Sequence, residues 1–124
     1  MTRKVQSPHL TPREQLAIIT EGRIRQAVEK YLGGDWSRRQ ELFTISLAEF
    51  HAWVDSVPLP RGGVHNKPQA SDGIYVLKER GRWVVFYQER GGRQFELGDF
   101  DDYRLAKREA LAAEYLIDVK LRKE

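Results

Sequence analysis

Cysteine is absent from the sequence, which excludes disulfides, thiol nucleophiles and thiolate zinc sites and agrees with a reducing compartment. Long hydrophobic runs are missing as well. The longest purely apolar stretch, Trp83 to Tyr87, is far too short to cross a bilayer. The opening MTRKVQSPHL has charge but no apolar core of the kind a secretory signal needs. A cytoplasmic protein with no membrane partner is the expectation. An excess of one charge is also lacking: 21 basic against 18 acidic residues leave +3, too little to predict nucleic-acid binding without a local patch. Histidine is scarce, and His9, His51 and His65 show none of the spacings that bind metals.

Catalytic signatures are wanting too. Ser7, Ser37, Ser46, Ser56 and Ser71 have no nucleophile-elbow glycines around them. The glycine pairs at 33, 62 and 91 lack the Lys-Ser/Thr of a phosphate-cradling loop. No enzyme activity, cofactor or metal is expected.

What is present is ordinary for one folded domain of 124 residues, with 40% apolar and 31% charged side chains. Residues 1–10 read as a flexible arm. Thr11 and Glu14 form a capping box with Pro12 at the first helical position. Leu16, Ile19, Ile24, Ala27, Val28, Tyr31 and Leu32 continue as one stripe, weakened at Gly22 and ended by Gly33 and Gly34. Ser37 with Gln40, and Ser46 with Glu49, are expected to cap two shorter helices. The helical part is thus 11–57, and Pro58 and Pro60 stop it. Residues 58–72 have no period and read as a loop.

From Gly73 the period changes to two. GIYVLKE, RWVVFYQE and RQFELG predict a three-stranded antiparallel meander, with Arg-Gly and Arg-Gly-Gly at the turns. The twice-used Glu-Arg-Gly is therefore strand end plus turn. GDFDD then opens a terminal helix, with Asp101 the expected cap, Tyr103, Ala106, Ala110, Ala113 and Ile117 its seam, and Lys120, Arg122 and Lys123 at its C-terminus. Helices, meander and a C-terminal helix packed on the sheet make an α+β fold.

For function, Glu96, Asp99, Asp101 and Asp102 form an acidic strand-to-helix corner, suited to docking a basic partner rather than to acid–base chemistry. His65 with Lys67 and Arg61 could touch a phosphate from the loop. Tyr75, Trp83 and Tyr87 with Arg82, Arg90 and Arg93 could stack RNA bases, though such aromatics on a middle strand are more often core. LTPREQLAII resembles the opening of a LuxR-type helix-turn-helix, with Arg38 and Arg39 further on, although the rest of that pattern is absent.

A longer likeness covers residues 72–116. Asp72-Gly73-x-Tyr75-Val76, Gly81-x-Trp83-x-Val85, Glu89-Arg90-Gly91, a third strand with Phe95 and an Ala/Glu-rich last helix resemble the C-terminal half of immunity proteins of bacterial polymorphic-toxin and contact-dependent growth inhibition systems. The resemblance implies a protein that binds a cognate toxin domain, a nuclease or NAD-consuming enzyme, and occludes its active site. Partner-binding residues are then expected at Glu96, Asp99 and Asp102, at the adjacent turn residues Glu89 and Arg90, and in the loop at Arg61, His65 and Lys67. The alternative is a helix-turn-helix-like DNA- or RNA-binding regulator.

Overall fold

The computed structural model describes residues 6–60 and 63–123. It is of the α+β class and falls into two compact units. One comprises the chain up to Phe50 with the segment from Asp118; the other is His51–Ile117.

In the first unit, α1 (Pro12–Thr20) starts at the expected capping box: Thr11 Oγ1 accepts from Glu14 N at 3.1 Å, and Glu14 Oε1 accepts from Thr11 N at 3.0 Å. The stripe does not continue as one helix. Gly22 takes φ 67°, and the Arg23 N–H turns back to Ile18 O at 2.9 Å, the Schellman ending that glycine favours. A second helix, α2 (Ile24–Leu32), begins after this turn. A 3₁₀ segment, Trp36–Leu42, follows, and Asp35 rather than Ser37 caps it by accepting from Ser37 N at 3.1 Å. Ile18, Ala27, Val28, Leu32 and Leu42 form the core here, with Leu10 packed against it. Of the arm expected over 1–10, residues 1–5 lie outside the described residues.

Gln15, only 1% exposed, sits at the centre of this unit. Its Oε1 accepts from the backbone N–H of Thr44 at 2.8 Å and of Ile45 at 3.0 Å; its Nε2 donates to Leu10 O at 2.8 Å and Thr44 Oγ1 at 2.9 Å. All four bonding positions of the amide are filled. The segment after Asp118 is extended, not helical. Val119 and Leu121 are buried and alternate with exposed Lys120 and Arg122, and Arg122 bridges Ser46 in parallel.

α3 (Leu47–Ser56) has the expected box, with Ser46 and Glu49 bonding reciprocally at 3.1 Å. In the second unit the sheet is four-stranded, not a three-stranded meander. Its order is β1 (Val64–His65), β2 (Gly73–Glu79), β3 (Arg82–Glu89) and β4 (Gly92–Phe100), and β1 runs parallel to β2. The extra strand arises inside the expected loop, where Ile74 N donates to Gly63 O at 2.8 Å. That approach needs glycine at 73: a β-carbon there would lie 2.6 Å from Gly63 O.

The register places Ile74, Val76, Trp83, Val85, Tyr87 and Phe95 on one face and Tyr75, Leu77, Val84 and Phe86 on the other. α4 (Tyr103–Tyr115) covers the first face through buried Ala106, Ala110 and Leu111. Its cap is Asp102, whose Oδ1 accepts from Arg104 N at 2.8 Å, and not Asp101. The helix stops at Tyr115, so Ile117 is outside the expected seam and 80% exposed. Trp83, expected in the core, is half-buried and meets Tyr103 edge-on at 4.8 Å.

Both Glu-Arg-Gly repeats are two-residue turns with positive φ at each central residue: 52° and 79° at Arg80 and Gly81, 54° and 77° at Arg90 and Gly91. That is the type I′ geometry, in which an arginine is strained where asparagine is at ease. Arg80→Asn and Arg90→Asn are each expected to stabilise the protein by about 0.5–1 kcal/mol. The two sites are at opposite ends of β3, so the gains should add in urea unfolding. A loss in either variant would show that the arginine side chain holds the turn.

An ion pair and a hydrogen bond tie elements of this unit together. Arg108 forks onto Asp55 at 3.0 and 2.6 Å, and the Lys107 ammonium donates to Val57 O. The Arg108 hydrogen bonds hold the Asp55 carboxyl below its usual range, while desolvation, and then Arg108, push the His51 imidazole down. A depressed histidine binds its proton more readily unfolded, so stability falls as pH drops below about 6.5. Asp55 adds a second loss as pH falls through its lowered folded value. Arg108→Gln is expected to flatten that acid limb in thermal melts recorded between pH 7 and pH 3. An unchanged limb would remove Asp55 as its source.

Candidate functional site

One end of the α4-covered face is open. Tyr87 and Phe95 are cross-strand neighbours stacked at 5.4 Å and 25°. With Ile74 beneath, Ala113 from the last turns of α4 and Ile117 just beyond its end, they line a groove of about 570 Å³. Phe95 is 55% exposed, and with Ile117 it stands among the few large apolar side chains that the described residues leave in water. Exposed apolar side chains beside a concave surface make this end of the sheet a candidate interaction site.

The polar wall of the groove comes from Asp72 and Glu114. Asp72 ends the loop before β2, and its Oδ1 accepts from the Arg90 N–H at 2.8 Å. Glu114 lies over Gly63, where a β-carbon would come within 2.4 Å of its carboxylate. Among the described residues neither carboxylate has a cationic partner.

The loop beside the groove is pinned from below. Tyr75, 0% exposed, stacks on Phe86 at 5.2 Å and against His65 at 4.7 Å. Its hydroxyl donates toward Ser71 O at 2.6 Å and Gln69 O at 3.0 Å, and accepts from Gln88 Nε2 at 3.1 Å. His65 Nε2 donates to Asp72 O at 3.1 Å, and Nδ1 accepts from Gln69 Nε2 at 2.6 Å, the network that fixes this tautomer.

The structure divides the residues singled out by sequence between the two ends of the sheet. Glu89 and Arg90 are at the groove end, and Arg90 reaches Asp72 through its backbone. His65 supports the loop through its ring, exposed Lys67 follows on the same loop, and Arg61 lies outside the described residues. Asp99 and Asp102 are at the far end, since β3 alone spans roughly 27 Å. There Asp99 pairs with Arg82 at 2.6 Å and Asp102 caps α4. Glu96 is opposite Phe86, and its charge is felt by Arg93, which lies 3.8 Å over that ring and forks onto Glu79. The acidic corner therefore has far less unpaired charge than its sequence suggests.

Of the arginines considered for nucleic acid, four are similarly engaged through their side chains. Arg38 forks onto Glu41, Arg39 donates to Asp118 O, and Arg82 and Arg93 are paired as above. Sequence reasoning did not find Asp72, Glu114, Phe95 and Ile117 as one site. The signal available was Phe95 itself, an aromatic on the last strand with polar neighbours on both sides. Among the described residues no group of three His, Cys, Asp or Glu is placed to hold a metal, and no helix is long and apolar enough to cross a membrane. Compared with protein-family models, curated proteins and solved structures, the chain shows no match to any of the three.

Proposed function

We propose that this chain is an immunity protein, which binds a cognate toxin domain of a bacterial polymorphic-toxin or contact-dependent inhibition system and covers its active site. The observation that carries the reading is the exposed groove, because apart from Gly63 and Ile117 its lining comes from residues 72–116, the segment that bears the sequence resemblance. Its shape suits a protein partner: apolar side chains at the centre and carboxylates at the edge, on a rigid sheet-and-helix support. Inhibition then needs no chemistry from the chain. A toxin whose substrate is a nucleic acid or NAD presents cationic side chains around its cleft, and the groove supplies acidic ones.

The test is protection. Cells expressing the toxin domain encoded beside this chain are expected to grow only when the chain is co-expressed, and the two proteins to co-purify. Growth arrest that co-expression does not relieve would sink the proposal. A second reading draws on α1 and α2, two nine-residue helices joined at Gly22 in the manner of a helix-turn-helix. A sequence-specific duplex complex that survives physiological salt would favour it over immunity.

A further inference from the structure

We infer that the groove is a receptor for one arginine side chain presented by the protein partner, an inference that rests on the immunity reading and names the chemistry of its central contact. Three features converge on a guanidinium. The stacked Tyr87 and Phe95 offer aromatic faces, which attract a weakly hydrated planar cation. Ile74, Ala113 and Ile117 offer an apolar track for the methylene stem. Asp72 and Glu114, both without a cationic partner among the described residues, offer acceptors at the rim.

The Asp72 carboxylate is held in place before any ligand arrives. The Arg90 N–H fixes one oxygen of Asp72 and leaves the other open, while the Asp72 backbone is anchored by His65. The Glu114 carboxylate lies over Gly63, close to where a β-carbon would otherwise project. The preorganisation of Asp72 lowers the ordering cost of binding. A lysine would make the charge contact but not the planar stack and fork together, so arginine is the better fit. A neutral apolar side chain would leave both carboxylates partly desolvated and unpaired, and is disfavoured for that reason.

The probe is N-acetylarginine amide, titrated into the full chain and followed by amide shifts, with the uncharged isostere N-acetylcitrulline amide as the comparison. Saturable shifts are expected at Asp72, Gly73, Tyr87, Phe95, Glu114 and Ile117. Citrulline should bind at least about tenfold more weakly, the loss expected when a charge-assisted bond becomes neutral. Glu114→Gln, which keeps size and fold, should weaken arginine by a similar factor and leave citrulline unchanged. Equal responses to the two probes, or non-saturable shifts spread over unrelated carboxylates such as Glu21 and Asp101, would overturn the inference. If the arginine response fails while the chain still protects cells, the pocket is wrong and the immunity reading stands. If the response holds without protection, the pocket stands and the immunity reading falls.

Discussion

Gln15→Ala is expected to destabilise the protein by roughly 3–5 kcal/mol, because the backbone N–H groups of Thr44 and Ile45 would lose their acceptor beside a newly opened cavity. Each unpaired donor costs about 1–3 kcal/mol, and the truncated side chain adds a packing loss. Gln15→Met separates the two effects, since it keeps most of the volume but none of the four hydrogen bonds. We expect it to cost about 2–4 kcal/mol in urea unfolding. A cost below about 1 kcal/mol for Met would mean that water replaces the amide and that packing alone explains the alanine variant.

Tyr75→Ala should cost a similar 3–5 kcal/mol, for a different reason. The ring is stacked between Phe86 and His65, and its hydroxyl gathers Gln69, Ser71 and Gln88. Tyr75→Phe keeps the stack and removes only the hydroxyl, at about 1–2 kcal/mol. This milder variant also carries a functional prediction. The loop that ends at Asp72 loses its central donor, so the groove should bind its ligand more weakly although no lining residue has changed. Full retention of ligand affinity in a well-folded Tyr75→Phe protein would show that His65 and Gln88 suffice to set the loop.

The parts of the fold legible in the sequence are those governed by neighbours along the chain. Thr11 with Glu14 and Ser46 with Glu49 make their boxes because each pair is three residues apart and answers only to local geometry. The Arg-Gly turns follow from the two-residue spacing between alternating runs. The parts missed depend on distant residues or on the local path of the backbone. β1 is two residues long and has no period to read; it exists because the Gly63 carbonyl meets Ile74 across a loop. Asp101 and Asp102 are equivalent as sequence, and only the entry angle of the chain decides that Asp102 caps α4. The weak point at Gly22 was visible, but the Schellman ending that turns it into a break needs the Ile18 carbonyl. The groove was hidden for the same reason, since Asp72, Phe95 and Glu114 meet only through the sheet and the helix above it.

That geometry also changes how the acidic corner should be tested. Asp101, not Asp102, is the corner carboxylate that can be reversed without removing the helix cap. Asp99→Lys with Asp101→Lys breaks only the exposed Arg82 pair, which contributes little to stability. The double variant is thus a folded control for the groove.

The most direct test is calorimetric affinity for the toxin domain encoded beside this chain, measured for Phe95→Asp and for the Asp99→Lys/Asp101→Lys control. Phe95→Asp is expected to weaken binding about 100-fold or more, as loss of a central anchor does, while the control stays within about fivefold of the parent at physiological salt. Undiminished affinity in Phe95→Asp, with the loss appearing in the corner variant instead, would contradict binding at the groove.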